Sequence, residues 1–229
     1  MKFEIKVTQD GSATIYLNEL DEHYHSTFGA VQESLHVFVG AGLGAVTAKE
    51  VTVLEVGFGT GLNCLLTMIA GQESRRQIHY VALEKYPLSM QVVDQLGYSS
   101  LYPESGAQLF SLLHTAPWNR DTTMNAQFVL HKIEKDLLEI VPAELPLVDL
   151  VYFDAFSPEK QPEMWQEVIF GMLYERMKTD GVLVTYCAKG VVRRTLQSVG
   201  FQVERIPGPP GKREMLRARK TGEQDPLVG

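Results

Sequence analysis

EVGFGTGLN, residues 55–63, closes an apolar run made by Val51, Val53, Leu54 and Val56 and sets glycines at the alternate positions 57, 59 and 61 before a second apolar run begins. A buried strand that ends in glycines and passes at once into a helix lets the backbone bend sharply and approach a ligand closely, where side chains would stand in the way. The spacing is GxGxG, not the GxGxxG of dinucleotide-binding folds, and an acid, Glu55, precedes it. A Gly-rich turn in any α/β fold produces the same local pattern, so the flanking chain has to decide between them.

Downstream the chain alternates. Strands are predicted over 51–56, 78–83, 127–131, 147–153, 181–186, 201–205 and 214–219, and helices over about 61–70, 87–96, 135–140, 163–177 and 189–198, with a helical insert near 107–114. VTVLEV, HYVALE and LVDLVYF are nearly continuous apolar runs, as expected of strands covered on both faces. The expected fold is therefore α/β and Rossmann-like: a mostly parallel seven-stranded sheet with an antiparallel last strand, wrapped by helices. Upstream, FEIKV and ATIYL flank Asp10-Gly11 as a β-hairpin, and residues 19–44 suggest a helix ending in the glycines at 40, 42 and 44. The expected division is an amino-terminal extension over 1–48 (hairpin and lid helix), a catalytic domain over 49–220 and a frayed tail over 221–229.

The chain has 229 residues, 45% hydrophobic and 21% charged, as an ordinary soluble globule does. No stretch approaches the roughly 18 apolar residues of a membrane span, and MKFEIKVTQDG lacks a signal-peptide pattern, so a cytoplasmic protein is expected. Cys64 and Cys187 are the two cysteines, far apart and without a CxxC, which predicts two reduced thiols in apolar settings. The net charge of -7 by itself argues against a nucleic-acid binder. Yet residues 185–220 hold nine Lys/Arg against two acids, +7, leaving -14 on the rest. That strip reads either as a solvated basic face or as an edge that contacts phosphates.

Carboxylates recur at successive strand ends. Glu84 ends HYVALE, 23 residues beyond Gly61, where doubly wound folds place an acid on ribose hydroxyls; Asp136 follows the third strand and Asp154 ends the fourth. Any one alone reads as a cap or a solvated turn. Three in register would line one crevice with the glycine loop, beyond the carboxyl ends of the strands.

With EVGFGTGLN, LEKYPL (83–88), VYFDAFSPEKQPEMW (151–165), AKGVVRRTLQSVGF (188–201) and GPPGKREM (208–215), the chain from roughly residue 20 to 219 resembles the methyltransferase half of the MnmC family. These bifunctional bacterial enzymes finish 5-methylaminomethyl-2-thiouridine at the tRNA wobble position. The ExGxGxG pattern is shared with many class I S-adenosylmethionine-dependent methyltransferases, whereas FDAFSP and GKREM are more specific. No second dinucleotide fingerprint for the flavin-dependent oxidase half occurs in the sequence. The resemblance implies a stand-alone N-methyltransferase that uses S-adenosylmethionine to convert 5-aminomethyl-(2-thio)uridine to 5-methylaminomethyl-(2-thio)uridine; a monomer is expected. Its substrate would be the tRNA anticodon stem-loop, with the aminomethyl group supplied by a separate oxidase or aminomethyl-forming enzyme. It also implies that Gly57, Phe58, Gly59 and Gly61, with Glu55, Thr60 and Asn63 of the same motif, face the cofactor's methionine portion. Glu84 beside Lys85 would take the ribose, and Asp136 and Leu137 would lie near the adenine. Asp154, followed by Ala155, Phe156, Ser157 and Pro158, would border the transferred methyl.

Methyl transfer from a sulfonium needs no metal, only a neutral nucleophile held in line with the S–CH3 bond. A primary alkylamine has a lysine-like pKa of ~10 and must lose a proton first. Asp154 is expected to accept a hydrogen bond from the amine and help the proton leave; as a carboxylate of ordinary basicity it would orient more than it would store the proton. YHSTFGAVQES (24–34) is a candidate lid, with Tyr24, His25, Ser26 and Glu33 in reach of the acceptor, although a lone histidine is as readily structural. Phe156 either stacks on the acceptor base or packs in the core. Lys189, Arg193, Arg194, Lys212 and Arg213 are the candidate phosphate contacts while the base is extruded. His23, His36, His79, His114 and His131 show no metal-ligand spacing, and no metal site is expected. Two other readings remain: a spermidine-synthase-like aminopropyltransferase, whose cationic substrate the basic strip suits poorly, and a non-catalytic nucleotide- or RNA-binding module.

Overall fold

The computed structural model describes residues 2–98 and 106–222. Eight strands form the main sheet: β4 (Glu50–Val56), β5 (Gln77–Glu84), β6 (Asp121–Asn125), β7 (Phe128–Glu134), β8 (Val148–Phe153), β9 (Met177–Thr185), β10 (Gln202–Pro207) and β11 (Glu214–Arg219). Their spatial order is β10-β11-β9-β8-β4-β5-β7-β6. From β9 to β7 neighbouring strands run parallel. β11 inserts antiparallel between β9 and β10, as the sequence predicts for the last strand.

The period-two alternation of a strand sends its apolar side chains to both faces. Val51 and Val53 of β4, Tyr80 and Ala82 of β5 and Leu150 and Tyr152 of β8 enter one core, with Leu62, Leu65 and Met68 of α2 (Leu62–Glu73). Leu54 and Val56, Val81 and Leu83, and Val151 and Phe153 enter the other, against α5 (Glu167–Arg176) and α6 (Gly190–Ser198). The two covered faces explain why these strands read as unbroken apolar runs.

The predicted hairpin is present as β1 (Phe3–Val7) and β2 (Ala13–Leu17), extended by a short third strand, β3 (Glu22–His23). The helix expected within 19–44 begins as α1 (Ala30–Ser34) and widens into a π-type turn over Leu35–Gly40. Ile15, Leu17, Val37 and Phe38 join the first core, so this extension shares its packing with the sheet.

The structure departs from the sequence reading in three places. An eighth strand, β6, lies at the sheet edge, antiparallel to β7. The helix expected over 87–96 is one turn, α3 (Met90–Val93), and that expected over 135–140 is a 3-10 turn, Leu137–Glu139. The insert forms α4 (Gly106–Thr115). Residues 223–229, most of the predicted tail, lie outside the described residues. Among the described residues no helix is long and apolar enough to cross a membrane. Cys64 and Cys187 are free and buried, as expected.

Candidate active site

β4 sits where the connections diverge, pairing with β5 on one side and β8 on the other, and in such sheets the crevice opens beyond the carboxyl ends of those strands. All three glycines of the loop have positive φ, 89°, 50° and 73° at 57, 59 and 61, which disfavours any other residue there. Contact forbids side chains as well: a Cβ on Gly57 would stand 2.9 Å from the Asp154 carbonyl oxygen, and one on Gly59 3.0 Å from the Tyr24 ring. The loop is sewn over β5, because the N–H groups of Gly57 and Phe58 both donate to the Leu83 carbonyl, at 3.0 and 2.9 Å.

A cavity of about 930 Å³ opens beside this loop, a size that suits a cofactor together with part of an acceptor. Tyr24, His25, Ser26, Glu33, Gly57, Phe58, Gly59, Thr60, Glu84, Lys85, Asp136, Leu137, Asp154, Phe156 and Lys212 all line it. Glu55, Gly61, Asn63, Lys189, Arg193, Arg194 and Arg213 do not.

Glu55 and Asn63 instead act from beneath. The Asn63 amide donates to Glu55 Oε1 at 3.0 Å and to Asp154 Oδ2 at 2.8 Å, tying the buried Glu55 to the half-buried Asp154 through one nitrogen. Burial, reinforced by the Asp154 charge, pushes Glu55 well above the usual carboxylate range. Burial first, and then the Glu33 charge, raise Asp154 to about 7; the Asn63 hydrogen bond and the Lys212 charge oppose this. The expectation of ordinary basicity is thereby corrected: low polarity and the Glu33 charge make Asp154 a competent proton acceptor near neutral pH.

Glu84 is fixed by backbone donors, Gly59 N–H to Oε2 at 2.9 Å and Tyr86 N–H to Oε1 at 2.8 Å. Asp136 accepts from Leu138 N–H at 3.0 Å and pairs with Lys85 at 2.7 Å. Partial burial works to raise its pKa, but the Lys85 and Leu138 hydrogen bonds hold it below the usual range.

The lid residues divide. His25 is buried, its Nε2 lies 2.8 Å from Thr60 Oγ1, and burial lowers it to about 4, so it is a neutral buttress of the glycine loop. Ser26 N–H donates to Glu33 Oε2 at 2.8 Å. Tyr24 meets Phe156 edge to face, ring centres 5.2 Å apart. Of the basic residues, Lys189 is exposed and pairs with Glu159, whereas Lys212 points inward to the buried Glu33. Arg194 and Arg213 are exposed and Arg193 is half-buried.

Sequence reasoning missed three contributors. Tyr186 lines the cavity from just beyond β9, its hydroxyl donating to the Ala155 carbonyl at 3.0 Å. His114 Nε2 is 3.1 Å from the Thr60 carbonyl. Lys132, buried in β7, donates to the His114 carbonyl at 2.9 Å and lies 4.5 Å from the Trp118 ring centre; burial lowers it to about 8. The apolar alternation of β7 gives no signal of an inward lysine, and His114 was noticed only as an unlikely metal ligand.

The fold is that of the class I methyltransferases, and the family model described as S-adenosyl-L-methionine-dependent methyltransferase matches residues 111–221. Within that class the chain is a homologue of the MnmC proteins over its methyltransferase domain. It is 33% identical over 213 residues to the tRNA 5-methylaminomethyl-2-thiouridine biosynthesis bifunctional protein MnmC of Idiomarina loihiensis, covering 86% of this chain and 35% of that protein. The corresponding protein of Cupriavidus necator is 34% identical over 212 residues, covering 89% of this chain and 32% of its own length. The chain thus spans about a third of the length of these curated relatives. The crystal structure of MnmC2 from Aquifex aeolicus superposes with a TM-score of 0.76 at 27% identity, covering 95% of this chain and 70% of that one.

Proposed function

We propose that this chain transfers the methyl group of S-adenosylmethionine to the primary amine of 5-aminomethyl-(2-thio)uridine at the tRNA wobble position. The observation that carries the reading is Asp154: a half-buried carboxylate just beyond the end of β8, raised to about 7 by desolvation and by Glu33, beside the glycine loop and facing the cavity. The names of the relatives supply the acceptor class.

In this reading the glycine loop and Glu84 hold the methionine and ribose portions, and Asp136 and Leu137 flank the adenine. The residues present fit that cofactor: loop glycines whose side chains would intrude on the cavity's walls, and a strand-end carboxylate beside them. When bound, the cofactor supplies an electrophilic methyl on sulfur. Asp154 takes the proton of the acceptor ammonium and leaves the nitrogen lone pair free to attack. Tyr24 and Phe156 form the aromatic wall for the base. Residues 49–220 are the catalytic domain and 1–48 its lid-bearing extension. The protein works in the cytoplasm as a monomer on the anticodon stem-loop, with the aminomethyl group made by a separate enzyme.

Incubation with S-adenosylmethionine of tRNA carrying the aminomethyl nucleoside should add one methyl to that nucleoside, read by mass spectrometry. An unmodified nucleoside with cofactor binding intact would overturn the assignment. Arg194 and Arg213, both exposed, are the expected phosphate contacts outside the cavity. Replacing both with glutamine should reduce the slope of log affinity against log salt by about two. An unchanged slope would remove them from the interface.

A further inference from the structure

Lys212 Nζ donates to Glu33 Oε1 at 2.6 Å and lies 4.0 Å from the centre of the Tyr186 ring. The two walls of this corner are held independently of the lysine. Glu33 is 6% exposed and its other oxygen accepts from Ser26 N–H; Tyr186 is anchored through its hydroxyl to the Ala155 carbonyl. Asp154 and Glu22 line the same cavity, the latter accepting from the Ser157 hydroxyl at 2.7 Å. A carboxylate and an aromatic face, converging in a largely desolvated corner, make a site for a cation that carries N–H donors.

We propose that this corner is a binding site for a primary alkylammonium ion, and that in the free protein the Lys212 side chain occupies it in place of the acceptor. The second part rests on the methyl-acceptor reading above; the first stands on the corner itself. A lysine head and an aminomethyl head are the same group, a tetrahedral –CH2–NH3+ with three donors. Whichever fills the corner, Glu33 keeps a partner, and an occupant without N–H donors leaves a buried carboxylate uncompensated.

Lys212 is built to leave. Its side chain is 32% exposed and flexible, and it belongs to the 208–213 turn between β10 and β11. That turn lies on the lid so closely that a Cβ on Gly211, at φ 83°, would stand 2.1 Å from the Phe28 ring. The ammonium can therefore swing to solvent while the turn and lid stay packed. An acceptor ammonium seated on Glu33 and Tyr186 then gives one N–H proton to the Asp154 carboxylate. The freed lone pair forms the N–CH3 bond as the S–CH3 bond breaks, and the sulfonium becomes a neutral thioether. Returning to the corner, Lys212 displaces the methylated amine.

The test uses ethylammonium chloride as the probe and thermal melting as the readout, with sodium chloride and tetramethylammonium chloride at equal ionic strength. In Lys212→Met the corner is vacant, and ethylammonium should raise the melting temperature by about 3 °C or more at saturation. The wild type, already filled, and Lys212→Met/Glu33→Gln, without the carboxylate, should respond as they do to sodium. Lys212→Leu carries the same test should Lys212→Met fail to fold. Equal ethylammonium shifts in all the proteins, or none in the Lys212 variants, would overturn the site. Loss of tRNA methylation as an activity would leave these shifts untouched, so the two ideas fail separately.

Discussion

Replacing Asp154 by asparagine is expected to lower turnover by about 10²–10⁴-fold while leaving S-adenosylmethionine affinity within a few-fold, because in the proposed reaction the side chain takes the proton of the acceptor amine. The same substitution is expected to stabilise the fold. Burial, and then the Glu33 charge, raise Asp154 to about 7, so its negative form is disfavoured in the native state and free of penalty in the unfolded chain. Between about pH 4 and 7 the native state retains a proton that the unfolded chain has released, and native stability therefore falls as pH rises through that window. The shift corresponds to a gain on the order of 2–4 kcal/mol at pH 7 for the asparagine variant. Asparagine still offers an oxygen to the Asn63 amide, so the bridge to Glu55 survives.

Turnover should run the other way with pH. The base must be ionised to act, so kcat rises through about pH 7 in the wild type, and that limb disappears from the residual activity of the variant. Melting curves and single-turnover rates across pH 5–9 read both effects from the same two proteins. Unimpaired turnover in Asp154→Asn would remove it from the mechanism. A loss of turnover accompanied by a fall in melting temperature would mean that Asp154 is a structural ion, not a strained catalytic one.

The elements legible in sequence are those whose environment repeats along the chain. β4, β5 and β8 announce themselves because both of their faces are covered, and the glycine loop because three positive φ values admit few other residues. β6 was invisible: DTTMN is polar, half-exposed and rich in turn formers, and it becomes a strand only by pairing with β7. In the site, the strand-end acids followed from topology. Their chemistry did not, because it depends on partners that sequence spacing does not relate. Asn63 and Asp154 are 91 residues apart and Glu33 and Lys212 are 179 apart. A basic strip read by charge alone placed Lys212 with the phosphate contacts, whereas its actual neighbours are a buried carboxylate and a ring.

Glu84→Gln is expected to weaken cofactor binding by about 10²-fold, and the reason is as much the loop as the ribose. Each carboxylate oxygen already accepts a backbone N–H, from Gly59 on one side and Tyr86 on the other, and each retains a lone pair for a ribose hydroxyl. An amide offers one oxygen and one NH2. Whichever way it is turned, its NH2 faces a backbone donor, so either the part-buried Gly59 N–H or the exposed Tyr86 N–H loses its acceptor. Loss of a charge-assisted hydrogen bond to the ribose, together with the cost of returning the displaced loop to its binding geometry, amounts to about 3 kcal/mol, the stated hundredfold. Burial raises the Glu84 pKa, against the backbone N–H bonds from Tyr86, Gly59 and Lys85 that favour its ionised form, so acidification should carry the wild type toward the affinity of the variant. Calorimetry with S-adenosylhomocysteine and its 2′,3′-dideoxy counterpart separates the two duties. If Glu84 served only the ribose, wild type and variant would bind the dideoxy ligand equally. A deficit that shrinks but persists is the expected result, since Gly59 is displaced whether or not the hydroxyls are present. Equal affinities for S-adenosylhomocysteine itself would show that Glu84 has neither role.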